Sequence, residues 1–96
     1  MKLIDVIQRN EGTIVDVRTP GEFSGGSIVG AVNVPLYELP QRLPELKQMP
    51  SPLILCCASG NRSGQATDYL TQQGVACLNG GSWVDVNFLT AEEVGS

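Results

Sequence analysis

Residues 57–63 place a thiol, a flexible glycine and a guanidinium within one short stretch of the chain. An apolar run, residues 53–56, precedes them and a helix-compatible stretch follows, so Cys57 is predicted where a strand ends and a helix begins. At such a position, backbone N–H groups and the helix N-terminus surround the sulfur with partial positive charge. Both effects favour the thiolate, which is the reactive form of cysteine. The stretch therefore predicts an anionic sulfur nucleophile, on condition that solvent reaches the sulfur.

Strands and helices are predicted to alternate along the chain, an arrangement that can hold such a loop. The predicted strands are residues 13–17, 31–34, 53–57 and 75–78. The predicted helices are residues 3–10, a short turn after Thr19, two short pieces between 36 and 46, residues 63–73 and residues 83–89. A turn is predicted at 79–82 and a frayed tail at 90–96. The alternation predicts an α/β fold with a mainly parallel sheet and helices on both faces.

The active site of such a sheet lies outside the carboxyl ends of its strands. Cys57 falls at one of these ends, and Arg18 directly follows the strand that carries Asp16. Arg62 can bind a substrate anion or pair with a carboxylate such as Asp16 or Glu22. We favour the pairing, which would support the loop, because buried arginine needs a partner. Arg18 is then the better candidate for an anion contact at the mouth of the site.

The composition limits the class of protein. A chain of 96 residues suits one domain, 1–96, with a core over about 3–89. The formal net charge of −4 and the lack of a basic run argue against nucleic acid as a partner. Three cysteines suit a reducing compartment, and no signal peptide or membrane span is evident, so a cytoplasmic location is expected. Without histidine, Cys–His and His–metal mechanisms are excluded, and no metal site is expected.

Four segments, in order, match a known family. They are Val15-Asp16-Val17-Arg18-Thr19-Pro20 with Glu22-Phe23, residues 26–35, the loop Cys57-Ala58-Ser59-Gly60-Asn61-Arg62-Ser63, and Leu78-Asn79-Gly80-Gly81. By these motifs the chain resembles a single-domain rhodanese, a sulfurtransferase, from about Ile14 to Trp83. The resemblance implies a rhodanese-like three-layer α/β/α fold with a mainly parallel central sheet, one domain in all.

The resemblance also implies a chemistry for the loop. Cys57 is expected to take a sulfane sulfur from a donor such as thiosulfate, to hold it as a persulfide, and to pass it to cyanide or a thiol. The acceptor thiol can belong to a small molecule or to a protein, and no cofactor is expected beside the covalent persulfide. The residues expected to bind substrate are Ala58, Ser59, Gly60, Asn61, Arg62, Ser63 and Arg18.

The chain departs from the family pattern at several positions. Ser27 and Val29 stand where the family usually carries His and Pro, in a segment that marks the fold rather than the chemistry. Ala58 stands where the loop often carries Arg, and this loss of positive charge at the rim disfavours a dianion such as thiosulfate. Trp83 also lies closer to the preceding Gly-Gly pair than is usual.

Alternative functions remain open from the sequence. Five residues separate Cys56 from Arg62, the spacing of cysteine-dependent phosphatases and some arsenate reductases, whereas only four separate Cys57 from Arg62. Because a narrower loop suits a single sulfur atom, we favour Cys57, and Cys56 and Cys77 are predicted to pack in the core. A persulfide carrier that turns over thiosulfate poorly, or a binding module without catalysis, are the further alternatives.

Overall fold

The computed structural model describes the backbone of residues 2–95 and the side chains of residues 2–90. Helices and strands alternate along this part of the chain. In order they are α1 (Leu3–Gln8), β1 (Thr13–Asp16), α2 (Pro20–Ser24), β2 (Val32–Asn33), a 3₁₀ turn (Leu36–Glu38), α3 (Leu43–Gln48), β3 (Leu53–Cys57), α4 (Asn61–Gln72), β4 (Cys77–Ser82) and α5 (Trp83–Gly95). No helix within these residues is long and apolar enough to cross a membrane.

The four strands form one parallel sheet in the order β2-β1-β3-β4. All five residues of β3 are buried, as expected for an apolar strand with a neighbour on each side and helices over both faces. Asp16 at the end of β1 is in register with Cys56, one residue before the end of β3. The carboxyl ends of the two inner strands therefore meet at one edge of the sheet, as the sequence predicts.

Alternating side chains of β3 divide the core into two layers, because successive residues of a strand point to opposite faces. Leu53, Leu55 and Cys57 pack in one cluster, which also contains Leu46 of α3, with Ala66 and Leu70 of α4. Ile54 and Cys56 pack in the other cluster, which α1 and α5 cover through Val6, Ile7 and Val86. The predicted three-layer α/β/α fold is thus confirmed.

Strand β4 differs from the prediction. It begins at Cys77 and continues through Ser82, so the turn predicted at 79–82 is wrong. Leu55 pairs with Asn79 and Cys56 with Gly81, which leaves Gly80 as an extra residue in a bulge. A Cβ at Gly80 would lie 2.9 Å from Cγ2 of Val86 and 3.1 Å from the Leu55 carbonyl oxygen. Glycine is needed there because the strand passes so close to its neighbours.

The two longest helices also extend beyond their predicted ends. Helix α4 begins at Asn61 rather than at Ser63, so its first turn forms part of the cysteine loop. Helix α5 continues past Leu89 to Gly95, so most of the predicted tail, 90–96, has a helical backbone, and Ser96 lies outside the described residues. These extensions keep the order of elements unchanged.

Candidate active site

Gly60 shapes the loop that leads from β3 into α4. Its φ is +95°, a left-handed conformation that glycine adopts without strain. A Cβ at this position would lie 3.3 Å from the Cα of Gly81, so the loop also approaches β4 closely. The chain can then turn back over the end of β3, and the first N–H groups of α4 point toward the residue that ends the strand, Cys57.

The sulfur of Cys57 accepts hydrogen bonds from two backbone amides. The N–H groups of Gly60 and Ser63 donate to Sγ over 3.0 and 3.3 Å. The hydroxyl oxygen of Ser63 lies 3.4 Å from the same sulfur. The sequence predicts this cradle from the loop glycine and the helix N-terminus, and the geometry of the described residues agrees with it.

These contacts lower the pKa of Cys57. Burial raises the pKa of its thiol, but hydrogen bonds to the thiolate from the Ser63 hydroxyl and from the amides of Ser63, Gly60 and Ser59 outweigh that effect. The two amides of Gly60 and Ser63 point their hydrogens at the sulfur and the Ser63 hydroxyl can donate to the thiolate, so the balance favours the charged form. Cys57 thus has the electronic character of a nucleophile without any histidine base.

The expectation that solvent reaches the sulfur is wrong for this arrangement of the loop. The exposed fraction of Cys57 is zero, and its side chain packs in the core cluster with Leu55 and Ala66. The exposed residues next to it are Ala58 and Ser59, at the tip of the loop. In this arrangement the sulfur is therefore covered by the groups around it.

Arg62 pairs with Glu22, as the sequence analysis favours. Its Nη1 and Nη2 atoms donate to the two carboxylate oxygens over 2.6 and 3.0 Å. Glu22 also caps α2 together with Thr19, because each residue's side chain accepts a hydrogen bond from the other's backbone N–H. The guanidinium lowers the pKa of Glu22 to about 2. The pair fixes the start of α4 to α2 and leaves Arg62 engaged with a carboxylate rather than open to an anion.

Arg18 differs from its predicted role as an anion contact. It is 5% exposed, and its Nε and Nη2 atoms donate to the carboxylate of Asp16 over 3.0 and 2.7 Å. Nη2 also donates to the carbonyl oxygen of Gly26, and the guanidinium lies 4.7 Å from the ring centroid of Trp83. Because its Nε and Nη2 donors and one face are occupied, Arg18 joins the end of β1 to Trp83 at the start of α5. Asp16 correspondingly supports Arg18 and not the loop arginine, Arg62.

Cys56 lacks the properties that a phosphatase or arsenate reductase would need. Its side chain has no exposed surface and lies on the opposite face of β3 from Cys57. Burial and the negative charge of Asp16 raise its pKa to about 12. A thiol that stays protonated inside the core is a poor nucleophile. Cys77 packs beside α4, where its sulfur lies 3.6 Å from the carbonyl oxygen of Thr67, in agreement with the predicted packing role.

The other predicted loop residues divide into two groups. The backbone amides of Ser59, Gly60 and Ser63 act on the sulfur, whereas Ala58 and Asn61 are exposed and their side chains make no hydrogen bond among the described residues. No pattern in the sequence indicates a role for Asn79 at the site. Its side chain contacts Ser63 and Gly60 of the loop. The contact could not be predicted because the pattern Asn-Gly-Gly is typical of a turn rather than a strand.

A parallel α/β sheet with a thiol cradled at the end of its central strand defines the class of protein. The sequence matches the family described as rhodanese-like domain over residues 2–83. The chain therefore belongs to the rhodanese-like domain family, and the resemblance found in its motifs is confirmed.

Individual relatives agree with this assignment. A protein named "Sulfurtransferase" from Allochromatium vinosum is 41% identical over 71 residues, which cover 71% of this chain and 65% of that protein. "Thiosulfate sulfurtransferase GlpE" of Shewanella oneidensis is 32% identical over 91 residues, 90% of this chain and 89% of that protein. A crystal structure of a rhodanese-like domain protein from Staphylococcus aureus superposes with a TM-score of 0.70 at 30% identity, covering 78% of this chain and 72% of that one. Other relatives are longer: the match spans 48% of a Bacillus subtilis protein.

Proposed function

We propose that the protein is a sulfurtransferase that carries a sulfane sulfur on Cys57. The thiolate attacks the outer sulfur of a donor such as thiosulfate, the S–S bond of the donor breaks, and sulfite leaves with the bonding electron pair. The resulting Cys57 persulfide is then attacked at its terminal sulfur by a thiolate or by cyanide. This second step restores the Cys57 thiolate and releases a persulfide or thiocyanate, so the cycle is a double displacement.

The observation that carries this proposal is the pair of amide hydrogen bonds to Cys57 Sγ from Gly60 and Ser63. They stabilise negative charge on a sulfur atom, and the same donors can serve the terminal sulfur of a persulfide anion. The loop amides converge on one sulfur atom, and this arrangement suits sulfur transfer better than the binding of a tetrahedral oxyanion. Relatives named as sulfurtransferases support the same reaction class.

The proposed reaction requires opening of the loop, because Cys57 is fully buried. Residues 58–60 are the segment with the freedom to move, since Ala58 and Ser59 are exposed and Gly60 is the one loop residue in a left-handed conformation. Outward movement of this segment would uncover the sulfur while the salt bridge between Arg62 and Glu22 keeps the start of α4 in place. Closure around the persulfide would protect it from water and stray thiols.

A persulfide donor is a second candidate, and the charges at this edge favour it over thiosulfate. Arg18 and Arg62 both have their charge paired with a carboxylate, and Ala58 adds none. A dianion would therefore be held chiefly by amide groups. A donor of lower charge, such as a persulfide on a small thiol or on another protein, depends less on a free positive charge for its binding. The protein would then act as a sulfur carrier with the same Cys57 chemistry.

Intact mass spectrometry tests the assignment directly. The reduced protein is incubated with thiosulfate, and in parallel with glutathione persulfide, and its mass is compared with and without a later treatment with dithiothreitol. We expect a reductant-sensitive gain of about one sulfur atom per chain, as covalent catalysis by a cysteine requires. The gain should map to the peptide that contains Cys57.

Matched variants locate the reacting thiol. Cys57→Ser should abolish the mass gain with both donors, whereas Cys56→Ser and Cys77→Ser should retain it. A gain that survives Cys57→Ser and disappears with Cys56→Ser would overturn the assignment. The lack of any adduct with either donor would favour the alternative of a binding module without catalysis. Faster loading from the persulfide than from thiosulfate would support the carrier.

A further inference from the structure

The side-chain amide of Asn79 connects β4 to the cysteine loop and to α4. Its Oδ1 atom lies 2.7 Å from Oγ of Ser63 and accepts a hydrogen bond from the Gly81 N–H over 3.0 Å. Its Nδ2 atom donates to the carbonyl oxygen of Gly60 over 3.4 Å. The bulge after Asn79 makes the contact with Gly81 possible, because it displaces Gly81 from the regular strand register. One side chain thus contacts both loop residues whose amides hold the sulfur.

The orientation of this amide follows from its partners. A backbone N–H can only donate, so the atom that faces Gly81 must be the amide oxygen, since an NH₂ nitrogen has no acceptor capacity. Ser63 Oγ approaches the same oxygen at 2.7 Å, a distance that requires a hydrogen between the two atoms. Ser63 is therefore the donor in this contact.

A serine hydroxyl has one hydrogen, so the direction of this hydrogen decides whether the sulfur of Cys57 faces a donor or a lone pair of Ser63. While the Ser63 hydrogen points to Asn79, Ser63 presents a lone pair to the sulfur, which lies 3.4 Å away. A lone pair accepts a hydrogen bond from a neutral S–H group but repels a thiolate. When Cys57 loses its proton to solvent, the Ser63 hydrogen must turn from Asn79 to the sulfur to give the thiolate a third donor beside the two amides.

We propose that Asn79 is a positioning residue that holds the hydroxyl hydrogen of Ser63 away from Cys57 and so restrains ionisation of the thiol. The proposal rests on the proposed role of Cys57 as the nucleophile. Asn79 does not touch the sulfur and acts on it through Ser63. The thiolate then gains its full set of donors only after the hydrogen bond between Ser63 and Asn79 breaks. The restraint opposes the two amides that lower the pKa of Cys57, so it limits how readily the buried sulfur ionises.

Other titratable groups near the sulfur come from β1 and the residues that follow it, and from α2, β3 and α4. Each of them has a partner of its own or stays neutral, and none contacts Asn79 among the described residues. These groups are Asp16, Arg18, Glu22, Cys56 and Arg62. Replacing Asn79 by alanine therefore leaves the surrounding charges unchanged and tests the release of the Ser63 hydroxyl.

The test measures the rate of alkylation of Cys57 by iodoacetamide as a function of pH, which needs no sulfur donor. Asn79→Ala frees the Ser63 hydroxyl, so we expect faster alkylation near pH 7, about three- to tenfold, with the pH midpoint moved down. Asn79→Asp keeps an acceptor for Ser63 and adds a negative charge, so it should move the midpoint up. The added charge alone would also move the midpoint of Asn79→Asp up, so release of the hydroxyl is judged from Asn79→Ala and from its dependence on Ser63.

A double-mutant cycle shows whether the effect passes through Ser63. In the Ser63→Ala background, Asn79→Ala should leave the pH midpoint unchanged, because no hydroxyl remains to be released. An equal shift in both backgrounds, or no shift with Asn79→Ala alone, would overturn the proposal. Circular dichroism of each variant identifies loss of folding. A normal alkylation profile together with failure to form a persulfide would count against the proposed function and not against the role of Asn79.

Discussion

Arg62 and Glu22 form a two-point ion pair that fastens the start of α4 to α2, with N···O distances of 2.6 and 3.0 Å. The residues are 40 positions apart in the chain. Each side chain is about one third exposed, so the pair lies at the rim of the site and not in the core. It therefore fixes the end of the loop that leads into α4.

The ion pair should survive in acid. The guanidinium of Arg62 lowers the pKa of Glu22 from 4.5 to about 2, so the stabilisation by the pair is present above pH 4.5 and is lost as the pH falls through about 2. We expect the carboxyl carbon resonance of Glu22 to titrate near this lower value in NMR spectra. In Arg62→Gln the midpoint should return toward 4.5. An unchanged midpoint in that variant would show that the pair does not form.

The reactivity of Cys57 should depend on pH in the manner of a thiol more acidic than usual. Its pKa is lowered from the ordinary value of 9.0, and the thiolate is the reacting form. The alkylation rate should therefore rise with pH through a midpoint below 9.0 and level off above it. The rate is measured from the modified Cys57 peptide by mass spectrometry. A midpoint at or above 9.0 would contradict the role of the loop amides.

Burial of Cys57 should make alkylation sensitive to the size of the reagent. A small reagent such as iodoacetamide needs less opening of the loop than a bulky maleimide. We expect the ratio of the two rates, small over bulky, to be larger in the native protein than in urea, where access is equal. Cys77, which is partly exposed, provides an internal reference within the same sample. Equal ratios in both conditions would show that the sulfur is open to solvent in the native state.

The ion pair of Asp16 and Arg18 should contribute to stability more than a pair at the surface. Asp16→Asn leaves the guanidinium of Arg18 buried without a carboxylate, and we expect the free energy of unfolding to fall by about 3 kcal/mol. The matched control is Glu11→Gln, which breaks an exposed pair with an N···O distance of 3.8 Å and should cost less than about 0.5 kcal/mol. Urea denaturation measures both. Similar losses in the two variants would contradict this assignment.

Gly80 should be intolerant of any side chain. In Gly80→Ala the new Cβ would lie 2.9 Å from Val86 Cγ2 and 3.1 Å from Ile54 Cγ2, so we expect a loss of about 1–3 kcal/mol from overpacking. Gly21→Ala is the matched control, because a Cβ there meets no atom within 4 Å. Thermal unfolding compares the two. If both variants melt like the parent protein, the close approach of β4 to α5 is not maintained in solution.

The fold could be predicted from the sequence because short local patterns mark its inner strands and the end of α4. The apolar, β-branched run at 13–17 and the buried run at 53–57 predict the inner strands, and Gly74 marks the end of α4 correctly to within two residues. The sequence was misleading at 79–82, where Asn-Gly-Gly is typical of a turn. There the strand continues in pairing with β3, and Gly80 is a glycine because a side chain would be too close to Val86 and Ile54 rather than because the chain turns.

The site was predicted less completely than the fold, because long-range geometry determines which partner each charge takes. The sequence identifies Cys57 and the pairing of Arg62 with a carboxylate. It assigns Arg18 to an anion, since no local signal shows that Trp83 and the carbonyl group of Gly26 lie beside it. The burial of Cys57 and the contacts of Asn79 could not be predicted from the sequence either, because both depend on how closely the loop approaches β4.

The positions of the two adjacent cysteines determine whether Cys56 can attack a persulfide on Cys57. Cys56 and Cys57 belong to opposite layers of the core, so the strand itself stands between their sulfur atoms. A terminal sulfur on Cys57 therefore cannot be expelled as hydrogen sulfide by attack from its sequence neighbour, and a vicinal disulfide would require β3 to unravel. The alternation of side chains along β3 thus keeps the terminal sulfur of a Cys57 persulfide away from the thiol of Cys56.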